Sequence, residues 1–222
     1  MSGEVAKVVF KIEVGTKAFP NVIVATFPTT LSLTVTNKAT GSKFTVNTGE
    51  EVQIPVGEYS VSGKYAPKAS QAVLGTSVYL SKSPAFSILQ DVSIATNIEE
   101  CSLTVNYQSW VLAVDSNEVS KWSMSMNYNA TDIDFMTDGD TWWIFCTGDL
   151  SERFVTTTIT PKDIDGHTAT TFNLTTSASY AASNGGYVVQ PGKWYWLHPE
   201  GVTTGSAQFT FSFPTWQDGT WD

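Results

Sequence analysis

The stretch Glu51–Tyr65, EVQIPVGEYSVSGKY, carries the clearest structural signal in the sequence. An apolar, β-branched run ends at Pro55, turns through Gly57 and continues as an alternation of side chains. Tyr59 and Val61 fall on one side of that alternation, and charged or hydroxyl side chains fall on the other. The pattern predicts a strand with one buried face that is entered through a tight turn.

A similar phrase returns near the end of the chain at Val189–Leu197, VQPGKWYWL. It again contains proline, glycine and one charged residue, followed by alternating aromatic residues. Two such phrases predict two related β units in one chain.

The composition favours β structure throughout. Thr, Ser, Val and aromatic residues are frequent, and short strand patterns recur every 8–12 residues, which is typical of β-sandwiches. The 222 residues are enough for two sandwiches of about 100 residues each. The sequence therefore predicts an all-β fold of two tandem antiparallel Greek-key β-sandwiches, immunoglobulin-like or transthyretin-like.

The boundary between the two sandwiches is placed in Gln108–Glu118, because the composition changes there. All eight Trp lie at or after Trp110, and the net charge of −9 belongs entirely to the residues after 108. We predict an N-terminal sandwich at 1–108 and an acidic, Trp-rich sandwich at 109–222. Ser177–Gly186 is interpreted as a loop of small residues. The predicted strands include Val5–Val14, Leu31–Thr36, Lys43–Val46, Ser77–Leu80, Pro84–Leu89, Val92–Ala95 and Ser102–Tyr107, then Ser120–Tyr128, Thr141–Cys146, Arg153–Thr160, Thr168–Thr176, Tyr187–Leu197 and Ala207–Phe213.

The charge pattern bears on the partners of the chain. No basic patch is available for phosphate contacts, which argues against nucleic acid binding. Charged residues make up only 15% of the chain, below the usual ~25%. This deficit predicts that other protein covers much of the surface.

The N-terminus, MSGEVAKVVFKIEV, lacks the apolar core of an export signal and a lipidation cysteine. If Met1 is the natural start, the sequence predicts a protein that is not exported by the usual route. No run of 18 apolar residues occurs, so no membrane-spanning helix is expected. Cys101 and Cys146 do not have the spacing of a metal site. We expect two reduced thiols, and the alternative is one disulfide between them.

The acidic stretch Asp132–Asp140, DIDFMTDGD, is a weak candidate for a metal site, and Asp163–Gly166 is a weaker one that we interpret as a turn. The carboxylates of Asp132–Asp140 could ligate calcium, but the spacing does not match an EF-hand, and a solvated acidic loop is the favoured interpretation. No metal and no cofactor are therefore expected. His167 and His198 belong to no nucleophile motif, so we expect no enzyme activity. The weak metal candidates are Asp132, Asp134, Asp138 and Asp140.

The tryptophans are the sharpest chemical feature. In Trp142-Trp143 and in Trp194-Tyr195-Trp196, neighbouring residues point to opposite faces of a strand. One face of each strand is therefore expected to offer an aromatic ring to a sugar or a neighbouring protein. The alternative is that both faces are core. The predicted interface residues are Trp142, Trp143, Trp194, Trp196, Trp216 and Trp221.

Residues 31–65 resemble the first β-sandwich of fimbrillin-like surface-protein domains of Bacteroidales. The similarity includes a strand followed by the pattern apolar–Pro–x–Gly–x–Tyr–x–Val, here beginning at Ile54. Residues 86–107 are similar to the paired strands that follow in such domains, and residues 187–219 resemble the end of their second sandwich. The resemblance covers about two-thirds of the chain. It implies a two-sandwich, non-enzymatic surface protein that forms assemblies.

Such surface proteins are exported lipoproteins, and the missing signal points instead to a phage virion protein, which needs no export. The leading hypothesis from sequence is therefore an auxiliary, decoration or head-fibre-associated protein of a phage capsid. Its partners would be the major capsid protein or other copies of itself, bound through strand edges. The alternatives are a fimbrillin-like adhesin subunit at the bacterial cell surface and a carbohydrate-binding module that uses its tryptophans to hold a glycan.

Overall fold

A computed structural model describes residues 4–13, 27–69, 71–72, 77–96, 99–115, 122–126, 136–137, 141–161, 170–200 and 210–212. Over these residues the fold is all-β, as predicted, apart from one short helix. The strands are β1 (Val5–Glu13), β2 (Ser32–Asn37), β3 (Lys43–Asn47), β4 (Glu51–Pro55), β5 (Gly57–Tyr65), β6 (Gln71–Ala72), β7 (Tyr79–Ser81), β8 (Phe86–Ile94), β9 (Glu100–Thr104), β10 (Asn106–Tyr107), β11 (Ser109–Asp115), β12 (Trp122–Met126), β13 (Met136–Thr137), β14 (Thr141–Thr147), β15 (Val155–Pro161), β16 (Thr170–Thr175), β17 (Tyr187–Val188), β18 (Trp194–Glu200) and β19 (Thr210–Ser212), and the helix is α1 (Ala178–Asn184).

The chain divides into two compact units. The first contains β1–β5 and β8–β10, and the second contains the other elements. Although β7 precedes residue 108, it belongs to the second unit, because it pairs with β14. The boundary in Gln108–Glu118, the division into sandwiches at 1–108 and 109–222, and their Greek-key topology stay predictions.

The first unit is built from two sheets, ordered β4-β1-β9 (sheet A) and β10-β8-β5-β2-β3 (sheet B). The predicted alternation of β5 is confirmed: Tyr59 and Val61 are fully buried, and Glu58 is exposed. In sheet A the same alternation buries Val8 and Phe10. Each such side chain contributes about 1.5–3 kcal/mol through burial, so these inward rows form the core of the unit.

The second unit also has two principal sheets, ordered β19-β18-β11-β14-β7-β6 and β12-β15-β16-β17. In the first of them, every residue from Ser109 to Ala113 on β11 and from Trp143 to Thr147 on β14 is buried. Consecutive burial means that both faces of these two strands are covered. Each unit also pairs its first long strand in parallel with a late one, β1 with β9 and β11 with β18.

Several local predictions were wrong, each for a physical reason. The predicted strand Tyr187–Leu197 is two strands, β17 and β18, because the chain turns at Pro191 and Gly192 between them. The predicted strands Pro84–Leu89 and Val92–Ala95 are one strand, β8, because Gln90 and its neighbours continue the ladder with β5. The predicted loop Ser177–Gly186 contains α1, where the Tyr180 N–H donates to the Ser177 Oγ at 3.2 Å. None of the described helical residues forms a segment suited to crossing a membrane.

Candidate functional site: strand edges of the first unit

The β9 edge of sheet A is closed by a side chain from sheet B. Val9 N–H donates to the Glu99 carbonyl at 2.9 Å, so alternation turns the backbone groups of Ser102 and Thr104 away from β1. Gln90 Nε2 donates to the Ser102 carbonyl at 3.2 Å, and Gln90 Oε1 accepts from the Thr104 N–H at 2.9 Å. One amide thus makes the two hydrogen bonds that a residue of a parallel neighbouring strand would make.

The β4 edge of sheet A is partly closed at its end. The Val56 N–H donates to the Glu4 carbonyl at 2.8 Å, so the alternate positions Gln53 and Pro55 turn their backbone groups outward. Pro55 has no N–H to offer a partner. Its carbonyl accepts from the hydroxyl of Tyr59 at 2.7 Å. This end of β4 therefore has neither a free donor nor a free acceptor for an added strand.

Among the described residues, none closes the β3 edge of sheet B in a comparable way. Asn37 N–H donates to the Ser42 carbonyl, and Thr48 N–H donates to the Leu31 carbonyl, both at 2.9 Å, so the even-numbered residues of β3 face β2. The backbone groups of Lys43, Thr45 and Asn47 therefore point outward. None of the described strands pairs with them on that side, and the Asn47 carbonyl receives one long turn bond, 3.4 Å, from the Glu50 N–H.

Such an edge can extend its sheet with a strand from another chain. The strand KFTVN has one charged residue, Lys43, and no proline. Its inward residue Phe44 is only half-buried and meets Tyr59 edge-on, with ring centroids 5.9 Å apart. An added strand would cover the exposed part of Phe44, so the edge offers apolar contact as well as hydrogen bonds.

The outer faces of the two sheets differ in chemistry. On sheet A the cations of β1 are paired with carboxylates of its neighbours, Lys7 with Glu51 at 3.2 Å and Lys11 with Glu100. The outer face of sheet B is mostly hydroxyl, and Leu89, with 72% of its surface exposed, is its large apolar residue. Sheet B also carries an ion pair, in which Lys38 Nζ lies 2.7 Å from Asp91 Oδ2. Because these charged pairs are exposed, each contributes little to stability.

The sequence-predicted interface tryptophans fall into three groups. Trp143 is only 4% exposed, and its Nε1 has no hydrogen-bond partner among the described residues, so it packs in the core of the second unit. Trp194 is half-buried at the start of β18. The side chains of Trp142 and Trp196, and all of Trp216 and Trp221, lie outside the described residues. An interface role for the set stays a prediction.

The weak metal candidates Asp132, Asp134, Asp138 and Asp140 also lie outside the described residues, as do the side chains of both histidines. Within the described residues, no group of three or more His, Cys, Asp or Glu side chains could hold a metal ion. Cys101 and Cys146 are both free thiols. Burial raises the pKa of each, and Cys146 is completely buried, so neither is poised as a thiolate nucleophile.

The sequence carried a signal for the closed β9 edge that pattern reasoning missed. Gln90 occupies an inward position between the buried residues Ile88 and Val92. A polar side chain in the apolar row of a strand needs hydrogen-bond partners. That requirement could have predicted a hydrogen-bond acceptor and donor nearby, although not that they belong to β9.

Comparison with known proteins informs only the architecture of the chain. No family model and no curated protein matches. A candidate cell adhesion protein from Bacteroides ovatus is 9% identical, covers 96% of this chain and 97% of its own, and has a TM-score of 0.49. A candidate cell adhesion protein from Bacteroides uniformis is 10% identical, covers 95% and 96%, and has a TM-score of 0.48. A fimbrial assembly protein from Parabacteroides distasonis is 10% identical, covers 94% and 98%, and has a TM-score of 0.45.

Proposed function

We propose that this chain is a non-enzymatic structural subunit of a fimbrillin-like assembly at the bacterial cell surface. The observation that carries the proposal is the unequal treatment of strand edges in the first unit. Gln90 closes β9, Pro55 and Tyr59 close the end of β4, and no described strand or side chain closes β3. A protein that only had to stay monomeric would benefit from closing every edge.

The mode of assembly follows from the chemistry of an open edge. Backbone N–H and C=O groups supply affinity without regard to sequence, and alternate side chains supply selectivity. The low content of charged residues agrees with this, because the fully buried centres of protein interfaces are depleted in charge. The resemblance of residues 31–65 to fimbrillin-like domains adds the expected setting, the cell surface.

Two other interpretations receive less support. The virion hypothesis depends on the condition that Met1 is the natural start of the chain, and no feature of the described structure adds to it. The carbohydrate-binding hypothesis needs aromatic rings at the surface. The tryptophans that this hypothesis would use are Trp142, Trp143, Trp194 and Trp196. Trp143 is buried and Trp194 is half-buried, so the described part offers no open aromatic platform at these two positions.

The test is to locate the chain in the organism that encodes it. Antibodies against the purified chain should label intact cells, and the chain should disappear when intact cells are treated with protease. It should also elute with material of high molecular mass from sheared cells. Recovery only inside cells as a free monomer, or only in purified phage particles, would contradict the proposal.

A further inference from the structure

We propose that two copies of the chain pair through their β3 strands, antiparallel and two-fold symmetric, with the axis at Thr45. This inference rests on the proposed function in one respect, because both assign contacts between chains to an open strand edge. It names the partner, a second copy of the chain, and the register of the contact. The two copies of sheet B would then form one continuous sheet.

The outward backbone groups determine which registers are possible. Lys43, Thr45 and Asn47 direct their N–H and C=O groups outward, and in an antiparallel ladder such residues must face each other as hydrogen-bonded pairs. Centring on Thr45 pairs Lys43 with Asn47 of the second copy, and Thr45 with its own equivalent. This register engages all three residues of each strand, whereas a shift by two residues leaves one of them beyond the end of the partner strand.

The side chains are self-complementary in the same register. Lys43 faces an amide rather than a second lysine, so no like charges are directly opposite. Thr45 faces threonine, a favourable cross-strand pair. On the inner face the half-buried Phe44 faces Val46 of the second copy, an aromatic and β-branched pair that is also favourable.

A two-fold contact of this kind is isologous, because both copies use the same surface. It closes after two copies and leaves the other edges as they are. The strand has only five residues, so the contact is small, and we expect a monomer–dimer equilibrium that depends on concentration. A larger assembly would need a further contact elsewhere on the chain.

The experiment is sedimentation velocity on the full chain over a range of concentrations, with Thr45→Pro as the principal variant. The Thr45 N–H faces away from β2, so proline there removes no hydrogen bond to any described residue but removes the donor on the axis. We expect the wild type to show dimer that increases with concentration and Thr45→Pro to stay monomeric with an unchanged circular dichroism spectrum. The matched control is Gln53→Pro, which places proline at an outward position of β4 and should leave the dimer intact.

Two further substitutions report on the axis itself. Thr45→Lys sets two lysines against each other and should weaken the dimer at least tenfold, with relief at high salt, whereas Thr45→Val should retain it. With Cys101→Ser in the background, Thr45→Cys should cross-link to itself under mild oxidation, and Lys43→Cys should not. A wild type that stays monomeric, a Thr45→Pro variant that dimerises normally, or equal cross-linking at both positions would overturn the proposal. None of these outcomes changes whether antibodies label intact cells, so the proposed function fails or survives separately.

Discussion

The hydroxyl of Tyr59 donates to the backbone carbonyl of Pro55, four residues earlier, at 2.7 Å. The second unit repeats the relationship with its polarity reversed: the hydroxyl of Tyr195, four residues after Pro191, accepts from the Gln190 N–H at 2.9 Å. Both tyrosines are buried. The two proline phrases are thus alike in structure, since each returns a tyrosine hydroxyl to the turn that introduces its strand.

Replacing Tyr59 or Tyr195 with phenylalanine should destabilise its own unit. Each substitution removes one hydrogen bond and leaves the ring in place, so we expect a loss of about 1 kcal/mol in the free energy of unfolding. Urea denaturation of the two variants measures it. Tyr65→Phe is the control, because the Tyr65 hydroxyl makes no hydrogen bond with any described residue, and it should be close to neutral. Equal losses in all three variants would show that the turn bonds are not responsible.

Alkaline pH should destabilise the fold through buried tyrosines. Burial raises the pKa of Tyr195 from 10.0 to about 12, although the hydrogen bond from Gln190 acts in the opposite direction, and burial alone raises that of Tyr107 to about 12. Because the folded pKa lies above the unfolded one, the neutral ring favours the fold below pH 10, and this contribution is lost as the pH rises from 10 to 12.

Urea denaturation across this range, with phenolate absorbance recorded alongside, should show the midpoint falling as the pH rises. The Tyr195→Phe and Tyr107→Phe variants should each show a shallower fall than the wild type. A pH dependence that neither substitution alters would refute the assignment to these two rings.

Gln90 should both stabilise the first unit and keep it from associating through β9. Gln90→Met conserves the shape but removes both hydrogen bonds to β9. Because Ser102 and Thr104 are exposed, water replaces the lost partner, and we expect a cost of about 1 kcal/mol. It also opens the β9 edge to another strand. We expect a lower urea midpoint and additional oligomers on size-exclusion chromatography. Gln53→Met, at an exposed position of β4, is the control. A Gln90→Met variant as stable and as monodisperse as this control would contradict the role.

Gln90 also marks the limit of prediction from sequence. Alternating apolar residues predicted β1, β2, β3 and β5 to within a residue or two, because side-chain period is a local property. The joining of two predicted strands into β8 depends on a ladder with β5, and the bond from Gln90 to β9 joins two different sheets. Burial of Trp143 likewise depends on what covers both faces of β14. Each of these is a tertiary property, which local pattern does not encode.

Gly148 should be intolerant of a side chain because it lies against a segment distant in sequence. Its φ of 145° is outside the usual range for other residues, and a Cβ there would lie 2.7 Å from the Val78 Cα and 2.9 Å from the Ser77 carbonyl oxygen. Both contacts are with backbone, so a rotamer change offers no relief. Gly148→Ala should therefore cost more than the 1–3 kcal/mol of an unfavourable backbone conformation alone.

Gly41→Ala is the matched control for this prediction. Gly41 also has a positive φ, 70°, but nothing lies within 4 Å of the position that a Cβ would take there, so only the backbone cost of about 1–2 kcal/mol applies. Thermal unfolding should give a clearly larger loss for Gly148→Ala. Because β7 adjoins Val78 and pairs with β14, faster hydrogen exchange in β7 should accompany that loss. Equal losses in the two variants would mean that the segment before residue 84 does not pack against the end of β14, and the assignment of β7 to the second unit would fall with it.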